Sequence, residues 1–151
     1  MFCVKKFMLF DENEFSRAKD LLDSAGITIS ETVSVPDASL LAETAQRVLF
    51  EMGVRTHTKG YAYILAALEH RPIEQGRITK VIYPAVAAQF GTKIANIEKG
   101  IRFAIESAWD AGVPERYKRW FQHPEDRPAN GVFLRTVADI VDAAEDSTAL
   151  L

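Results

Sequence analysis

The sequence predicts a mainly α-helical protein that contains a helix-turn-helix and is preceded by a short strand-helix-strand unit. Between residues 38 and 144 the apolar residues recur three or four positions apart, the spacing of one face of an α-helix. Residues 27–35 instead alternate between apolar and polar side chains, as in a half-buried strand. Gly91 stands between two helical patterns and marks a sharp turn. These observations divide the chain into a head, residues 1–36, and a helical body, residues 37–151.

The composition describes a globular protein. The chain has 151 residues, of which 48% are hydrophobic and 26% charged, which suits one domain with a small appendage. Its single cysteine, Cys3, excludes an internal disulfide and fits a reducing cytoplasm, where we expect the protein. The sequence has no apolar run near the roughly 20 residues of a membrane span and no signal-peptide pattern. We therefore expect no membrane contact.

The head combines two strand-like stretches with one helix. Residues 2–10 are rich in bulky apolar groups, which favours a strand. A helix is expected next, because Asp11 and Glu14 have the spacing of a capping box and Gly26 stands where a helix ends. Residues 27–35 form the second strand. Because a unit of about 35 residues with unpaired strand edges has little to pack on, we expect it to pack against the body or a second copy.

The body is expected to consist of helices separated by glycine and proline. Pro36 breaks the strand pattern, Gly53 and Pro72 each follow a helical run, and Pro84 is well placed as the first residue of a helix. Helices are predicted over residues 38–52, 58–70, 78–82, 84–90, 92–110 and 130–144, with one or two turns within residues 115–122. The side chains expected to face the core are Leu41, Ala45, Val48, Leu49, Met52, Tyr61, Ile64, Leu65, Leu68, Phe133, Val137, Ile140 and Val141, with Trp120 and Phe121 covering it.

The helix predicted over residues 92–110 has two different faces. Its apolar stripe is expected to lie on the core and consists of Ile94, Ile97, Ile101, Ala104, Ile105 and Ala108. The adjoining face carries Ala95, Glu98, Lys99, Arg102 and Glu106. A small residue followed by acidic residues and long basic residues is the composition expected of a helix face that binds a partner molecule.

Gly91 places this helix second in a helix-turn-helix. Ala87 lies four residues before the glycine and Ile97 six residues after it. A small residue is needed at 87 because the two helices cross closely, and Ile97 fills the angle between them. The turn favours a residue that can adopt positive φ at 91. Gly100, at another inward position, is interpreted as a point of close helix approach.

The charge distribution favours a nucleic-acid partner. The net charge is -3, but residues 55–102 hold eight basic and three acidic residues, so this window is +5 and the remainder -8. In a helix-turn-helix the second helix enters the major groove of DNA. Arg102 and Lys99 could donate to guanine and Glu98 could accept from cytosine. Side chains expected near phosphates are Arg77, Thr79, Lys80, Lys93, His57 and Lys59. The alternative is a solvated face on which Glu98 merely pairs with Arg102.

Residues 53–109 also resemble a known family. The motifs are GVRTHTKGYAYILAALEH and RITKVIYPAVAAQFGTKIANIEKGIRFAIESAW, and the similarity extends over about residues 38–142. They resemble the DNA-binding effector domain of the sporulation initiation response regulator, the stage-zero sporulation protein A family of endospore-forming bacteria. The resemblance implies a six-helix domain that binds a short DNA box, often as a tandem dimer, and regulates transcription, with RNA polymerase as a further partner. It also implies that Glu98, Lys99 and Arg102 read bases.

Two departures from the family concern the reading helix and the head. The family typically has arginine at the position of Lys99 and histidine at that of Phe103, so the preferred box is expected to differ. Family members carry a full receiver domain, whereas residues 7–29 resemble only its beginning. Because the strand that bears the phosphorylated aspartate has no counterpart, we expect no control by that phosphorylation. We hypothesise that the head makes a homodimer instead.

An enzyme and a protein-interaction module are the two alternative classes of function. His57, His70 and His123 lack metal-ligand spacing, and the sequence has no nucleophile motif or glycine-rich phosphate loop. We therefore expect no catalysis, no metal and no cofactor. A protein-interaction or decoy module could keep the fold without binding specific DNA. The positive window argues against it, because a decoy would not need one.

Overall fold

The computed structural model describes Ser24 and residues 38–149. The chain divides into two units, Met1–Val35 and Pro36–Leu151, and apart from Ser24, which is helical and exposed, everything described below belongs to the second. The predicted strands of the head, over residues 2–10 and 27–35, lie outside the described residues.

Residues 38–149 form six helices and contain no strand. Three of these helices lie within two residues of their predicted bounds at both ends, and the last is longer than predicted. The prediction of a mainly α-helical body is confirmed. The helices are α1 (Ala38–Glu51), α2 (Lys59–Leu68), α3, α4 (Ile94–Asp110), α5 (Glu115–Lys118) and α6 (Asn130–Ala149), and α3 consists of three consecutive segments, Gln75–Arg77, the π-helical Ile78–Ile82 and Tyr83–Gln89. None of the described helices combines the length and apolarity that a membrane span requires.

Pro84 lies in the first turn of the α-helical segment Tyr83–Gln89, as the sequence predicts, but no loop separates this segment from the π-helical segment before it. A proline has no N–H to donate, and its ring crowds the carbonyl four residues earlier. The turn before Pro84 is wider than an α-helical turn, because the Tyr83 N–H donates to the Ile78 carbonyl five residues earlier. A π-helical turn of this kind lets the backbone accommodate the irregularity and continue. The predicted helices 78–82 and 84–90 therefore both exist, as consecutive segments of α3.

The core is formed chiefly by α2 packed on α4 and by α1 packed on α6. The largest side chains that are fully buried are Phe133, Leu49, Met52, Ile64, Ile82, Ile97, Ile101, Ile105, Leu134, Val86 and Val137. Most of them belong to the stripes predicted from periodicity. The partly buried Leu41, Tyr61, Leu65 and Ile140 pack against this cluster.

Two residues predicted to face the core are exposed. Ile94 is 45% exposed because it opens α4, where the apolar stripe extends past the end of the core. Trp120 is 48% exposed, while its neighbour Phe121 is buried. The Phe121 ring occupies the place between Trp109, at a centroid distance of 5.3 Å, and Phe133, at 6.3 Å. Arg119 lies over the outer Trp120 ring instead.

The helices α2 and α4 cross at a pair of glycines. A Cβ added to Gly60 would lie 2.1 Å from the Gly100 carbonyl oxygen and 2.7 Å from the Ala104 Cβ. A Cβ added to Gly100 would lie 2.8 Å from the ring of Tyr63. The close approach predicted at Gly100 is confirmed. Its partner Gly60 was missed, because only the crossing reveals the need for a second glycine.

The turn between α3 and α4 has the predicted form. Gly91 has φ of 60°, a backbone conformation that glycine adopts without steric cost. The Thr92 N–H donates to the Ala87 carbonyl at 3.0 Å, and the Gly91 N–H donates to the Ala88 carbonyl at 3.3 Å. This pair of hydrogen bonds is a Schellman motif, which ends α3 sharply. Ala87 and Ile97 are both buried where the two helices meet, so the helix-turn-helix geometry is confirmed.

Candidate nucleic-acid interface

The outward face of α4 is the candidate interface. Ile97, Ile101, Ala104, Ile105 and Ala108 are buried on one side of this helix. On the other side the side chains of Ala95, Asn96, Lys99, Arg102 and Phe103 are exposed, and those of Glu98 and Glu106 are half-buried. The first half of α4 therefore presents a small residue, an amide and two cations to its surroundings, directly after the turn.

Glu98 and Arg102 are ion-paired with each other along α4. They have the i, i+4 spacing, and about half of each side chain is exposed. An exposed pair of this kind is worth only about 0.3–0.5 kcal/mol. This ion pair is the one expected if the face of α4 is merely solvated. Because the pair is weak, either side chain could leave it to bind a ligand at little cost in free energy.

A groove of about 520 Å³ runs beside Glu98 and Arg102. It lies between α3, α4 and the start of α6, and it brings Thr79 together with the two predicted reading residues. The lining residues are Gln75, Ile78, Thr79, Tyr83, Glu98, Arg102, Arg127, Pro128, Ala129, Asn130 and Gly131. Thr79 is exposed on the α3 side of this groove, and the next residue, Lys80, is also exposed.

Asn130 holds the three elements of the groove together. Its Nδ2 donates to the backbone carbonyl of Glu98 at 3.0 Å and to the Tyr83 hydroxyl at 3.2 Å. One amide at the start of α6 thus contacts both helices of the helix-turn-helix. Burial raises the pKa of Tyr83, while the hydrogen bond from Asn130 acts in the opposite direction. The Tyr83 hydroxyl therefore stays protonated at neutral pH.

The loop before α6 is tied to α4 at a second point. Arg127 Nη1 lies 3.0 Å from Glu106 Oε1, which is one helical turn beyond Arg102. Sequence reasoning missed Asn130, Tyr83 and Arg127 as residues that orient the interface. The periodic pattern begins at Asn130, but nothing in that pattern indicates a contact with a helix more than 30 residues earlier in the chain.

Several cations of the positive window have no acidic partner in the described part of the chain. No carboxylate there lies within 4.0 Å of Arg55, Lys59, Arg77, Lys80, Lys93 or Lys99. Lys59 precedes Gly60, which contacts Gly100. Since adjacent Cα atoms are about 3.8 Å apart, Lys59 lies beside the middle of α4. Lys93 immediately precedes α4 and is exposed.

The remaining predicted phosphate contacts have different surroundings. Arg77 is half-buried and its Nη1 donates to the Pro72 carbonyl at 3.2 Å, so it also closes the turn before α3. His57 is exposed in the turn before α2. The next residue, Thr58, caps α2 by accepting a hydrogen bond from the Tyr61 N–H at 3.2 Å. Residues 38–149 contain no group of three or more His, Cys, Asp or Glu side chains placed to hold a metal ion.

Comparison with known families identifies the body. The model of the family described as "Sporulation initiation factor Spo0A C terminal" matches residues 45–141, which is more than half of the 151-residue chain. The matched region extends from α1 into α6 and includes the helix-turn-helix, the glycine crossing and Asn130. The Spo0A C-terminal domain binds DNA and is a transcription-factor domain, not an enzyme family. The chain therefore belongs to the Spo0A C-terminal family of DNA-binding effector domains.

Proposed function

We propose that the protein is a sequence-specific transcription regulator that reads a short DNA box with α4. Glu98, Lys99 and Arg102 contact base edges, with Arg102 and Lys99 donating to guanine and Glu98 accepting from cytosine. Phosphates are contacted by Arg77, Thr79, Lys80, Lys93, His57 and Lys59, which set the register on the duplex. The observation that carries the proposal is the exposed face of α4 beside the turn at Gly91, surrounded by cations that have no acidic partner among the described residues.

The arrangement of these cations supports a duplex as the ligand. Lys93 precedes α4 and Lys59 flanks its middle, while the exposed Lys80 follows Thr79, the polar residue that lines the groove on the α3 side. They therefore border the reading face on more than one side, as expected if the helix enters the major groove and its neighbours meet the two phosphate backbones. A decoy that binds only protein would have no need of this arrangement.

The salt dependence of binding tests this proposal. On a random-sequence duplex the logarithm of the association constant is expected to fall linearly with the logarithm of salt concentration, with a slope of about -0.9 for each phosphate contact. Lys80→Ala should make that slope shallower by about 1 and weaken binding equally on every sequence. Fluorescence anisotropy over a range of KCl concentrations provides the measurement.

Lys118→Ala is the matched control for Lys80→Ala. Lys118 also lies on the body, but it pairs with Glu115 at 2.8 Å on α5, outside the positive window. Its removal should leave the slope unchanged. A wild-type slope near zero would contradict the proposal and favour the decoy function.

Two further interactions are proposed in addition to DNA binding by the body: formation of a homodimer and contact with RNA polymerase. We propose that the head makes the homodimer, that the regulator works in the cytoplasm without receiver phosphorylation, and that it contacts RNA polymerase once bound to DNA. Sedimentation velocity at micromolar concentration should give a dimer for the whole chain. A strictly monomeric protein would contradict the dimerisation hypothesis.

A further inference from the structure

We propose that Phe103 is a specificity residue that recognises a thymine by packing on its C5 methyl group. The inference rests on the proposed function and adds an apolar contact to the polar base contacts of the same helix. Phe103 is 62% exposed on α4, although it is one of the largest apolar side chains in the chain. Because its ring is exposed beside the proposed base-reading side chains, Phe103 is available for an apolar contact with the ligand of that face.

Phe103 lies on the outward face of α4, next to Lys99 at its centre. At about 100° per residue, Phe103 is roughly 40° from Lys99 around the helix axis and well away from the buried stripe. It is about one turn, or 6 Å, beyond Lys99, and only about 1.5 Å further along the axis than Arg102. A duplex that brings base edges within reach of Lys99 therefore also lies close to the Phe103 ring.

The chemistry of the ring limits what it can recognise. Phenylalanine neither donates nor accepts conventional hydrogen bonds, so phosphates and the polar edges of bases give it no favourable contact. The one apolar group that the major groove displays is the thymine methyl. A methyl contact is therefore the specific interaction available to Phe103 on this face.

Two other exposed rings have different settings. Phe90 flanks the turn but packs edge-on against Tyr63 at a centroid distance of 5.0 Å. Phe50 is even more exposed, at 71%, but it belongs to α1, outside the helix-turn-helix. Among the ring pairs of the described residues, none includes Phe103.

A second copy of the chain is a less favourable occupant of this face. A symmetric contact centred on Phe103 would bring Lys99 and Arg102 of one copy close to the same cations of the other. Lys99 has no carboxylate within 4.0 Å in the described residues, so its charge would be uncompensated there. The cations that oppose self-association favour a polyanion such as DNA.

Deoxyuridine substitution tests the inference, because it removes only the methyl group from a thymine. The probe is the duplex that the wild-type protein enriches from a random pool, together with versions in which each thymidine in turn is replaced by deoxyuridine. At one position the replacement should weaken wild-type binding about three- to five-fold, the value of one buried methyl group. Phe103→Ala should bind the thymidine and deoxyuridine versions of that position equally.

Phe50→Ala is the control, and it should retain every thymidine preference of the wild type. Because Phe103 is exposed, Phe103→Ala should unfold at the wild-type denaturant concentration. An enriched duplex on which Phe103→Ala keeps all wild-type preferences would overturn only this inference. The inference would also be overturned if Phe103→Ala bound every duplex equally more weakly than the wild type and no longer self-associated. That result would assign Phe103 to a contact between two copies of the chain. A pool without any enriched sequence would overturn the proposed function as well.

Discussion

Replacing Gly60 with alanine is expected to lower the free energy of unfolding by about 3 kcal/mol or more, the upper range for overpacking a core. The added Cβ would lie 2.1 Å from the Gly100 carbonyl oxygen and 2.9 Å from its carbonyl carbon. Both atoms belong to the backbone of α4, so a side-chain rotation cannot relieve the overlap. The helices α2 and α4 would have to separate, and they form the most extensive contact between helices of the body.

Two other glycines provide matched controls for this substitution. Gly100→Ala should cost less than Gly60→Ala, because the obstacle at 2.8 Å is the Tyr63 side chain and alanine favours a helix interior over glycine by about 1 kcal/mol. Gly76→Ala should be neutral or stabilising, since a Cβ there meets no atom within 4 Å. Urea unfolding followed by circular dichroism would rank the three variants.

Equal stability of the Gly60→Ala and Gly76→Ala variants would contradict the close packing of α2 on α4. Partial separation of these helices should also displace the middle of α4, where Lys99 precedes Gly100. We therefore expect any folded Gly60→Ala protein to bind DNA more weakly, even though Gly60 itself is buried.

Replacing Arg102 with alanine is expected to weaken binding to the enriched duplex by about 1–3 kcal/mol, which is roughly five- to 150-fold, and to relax the preference at one base pair. A bidentate arginine contact with guanine accounts for a loss of this size. The folded protein should change little, because the pair with Glu98 is exposed and weak. Anisotropy titration on the enriched duplex and on its single-base variants gives both quantities.

Arg102→Lys separates the charge of this residue from its geometry. Lysine keeps the positive charge but lacks the planar fork of arginine, so the salt slope should be retained while the base preference declines. Arg116→Ala controls for the loss of an exposed arginine, since Arg116 pairs with Glu51 at 2.9 Å away from the reading face. Undiminished selective binding by Arg102→Ala would remove Arg102 from the base-reading set.

Arg102 could be identified from the sequence, whereas Gly60 could not. Arg102 was predicted from its place on the polar face of a helix, and it lies exposed on that face. The base-reading roles of Glu98, Lys99 and Arg102 remain predictions. Gly60 was not predicted, because a glycine near the start of a helix resembles many others until the helix that it contacts is known.

The sequence alone determined the features of this protein that depend on neighbouring residues. Helical periodicity requires only residues three and four apart, so it identified the stripes that bury Ile97, Ile101 and Ile105. The sharp turn required a residue that accepts positive φ, so it identified Gly91. The positive window over residues 55–102 required only a count of basic and acidic residues. These local rules were sufficient for the helical class, the helix-turn-helix and the outward face of α4.

The features that join distant residues depend on how the helices pack in three dimensions. Asn130 contacts Tyr83 across 47 positions and the Glu98 carbonyl across 32, and no local rule indicates such partners. Phe121 is buried and Trp120 exposed because one site between Trp109 and Phe133 accepts one ring. The physical reason is common to all of these cases. Periodicity indicates that a side chain can be buried, whereas packing density and hydrogen-bond geometry determine which residue is buried and against what.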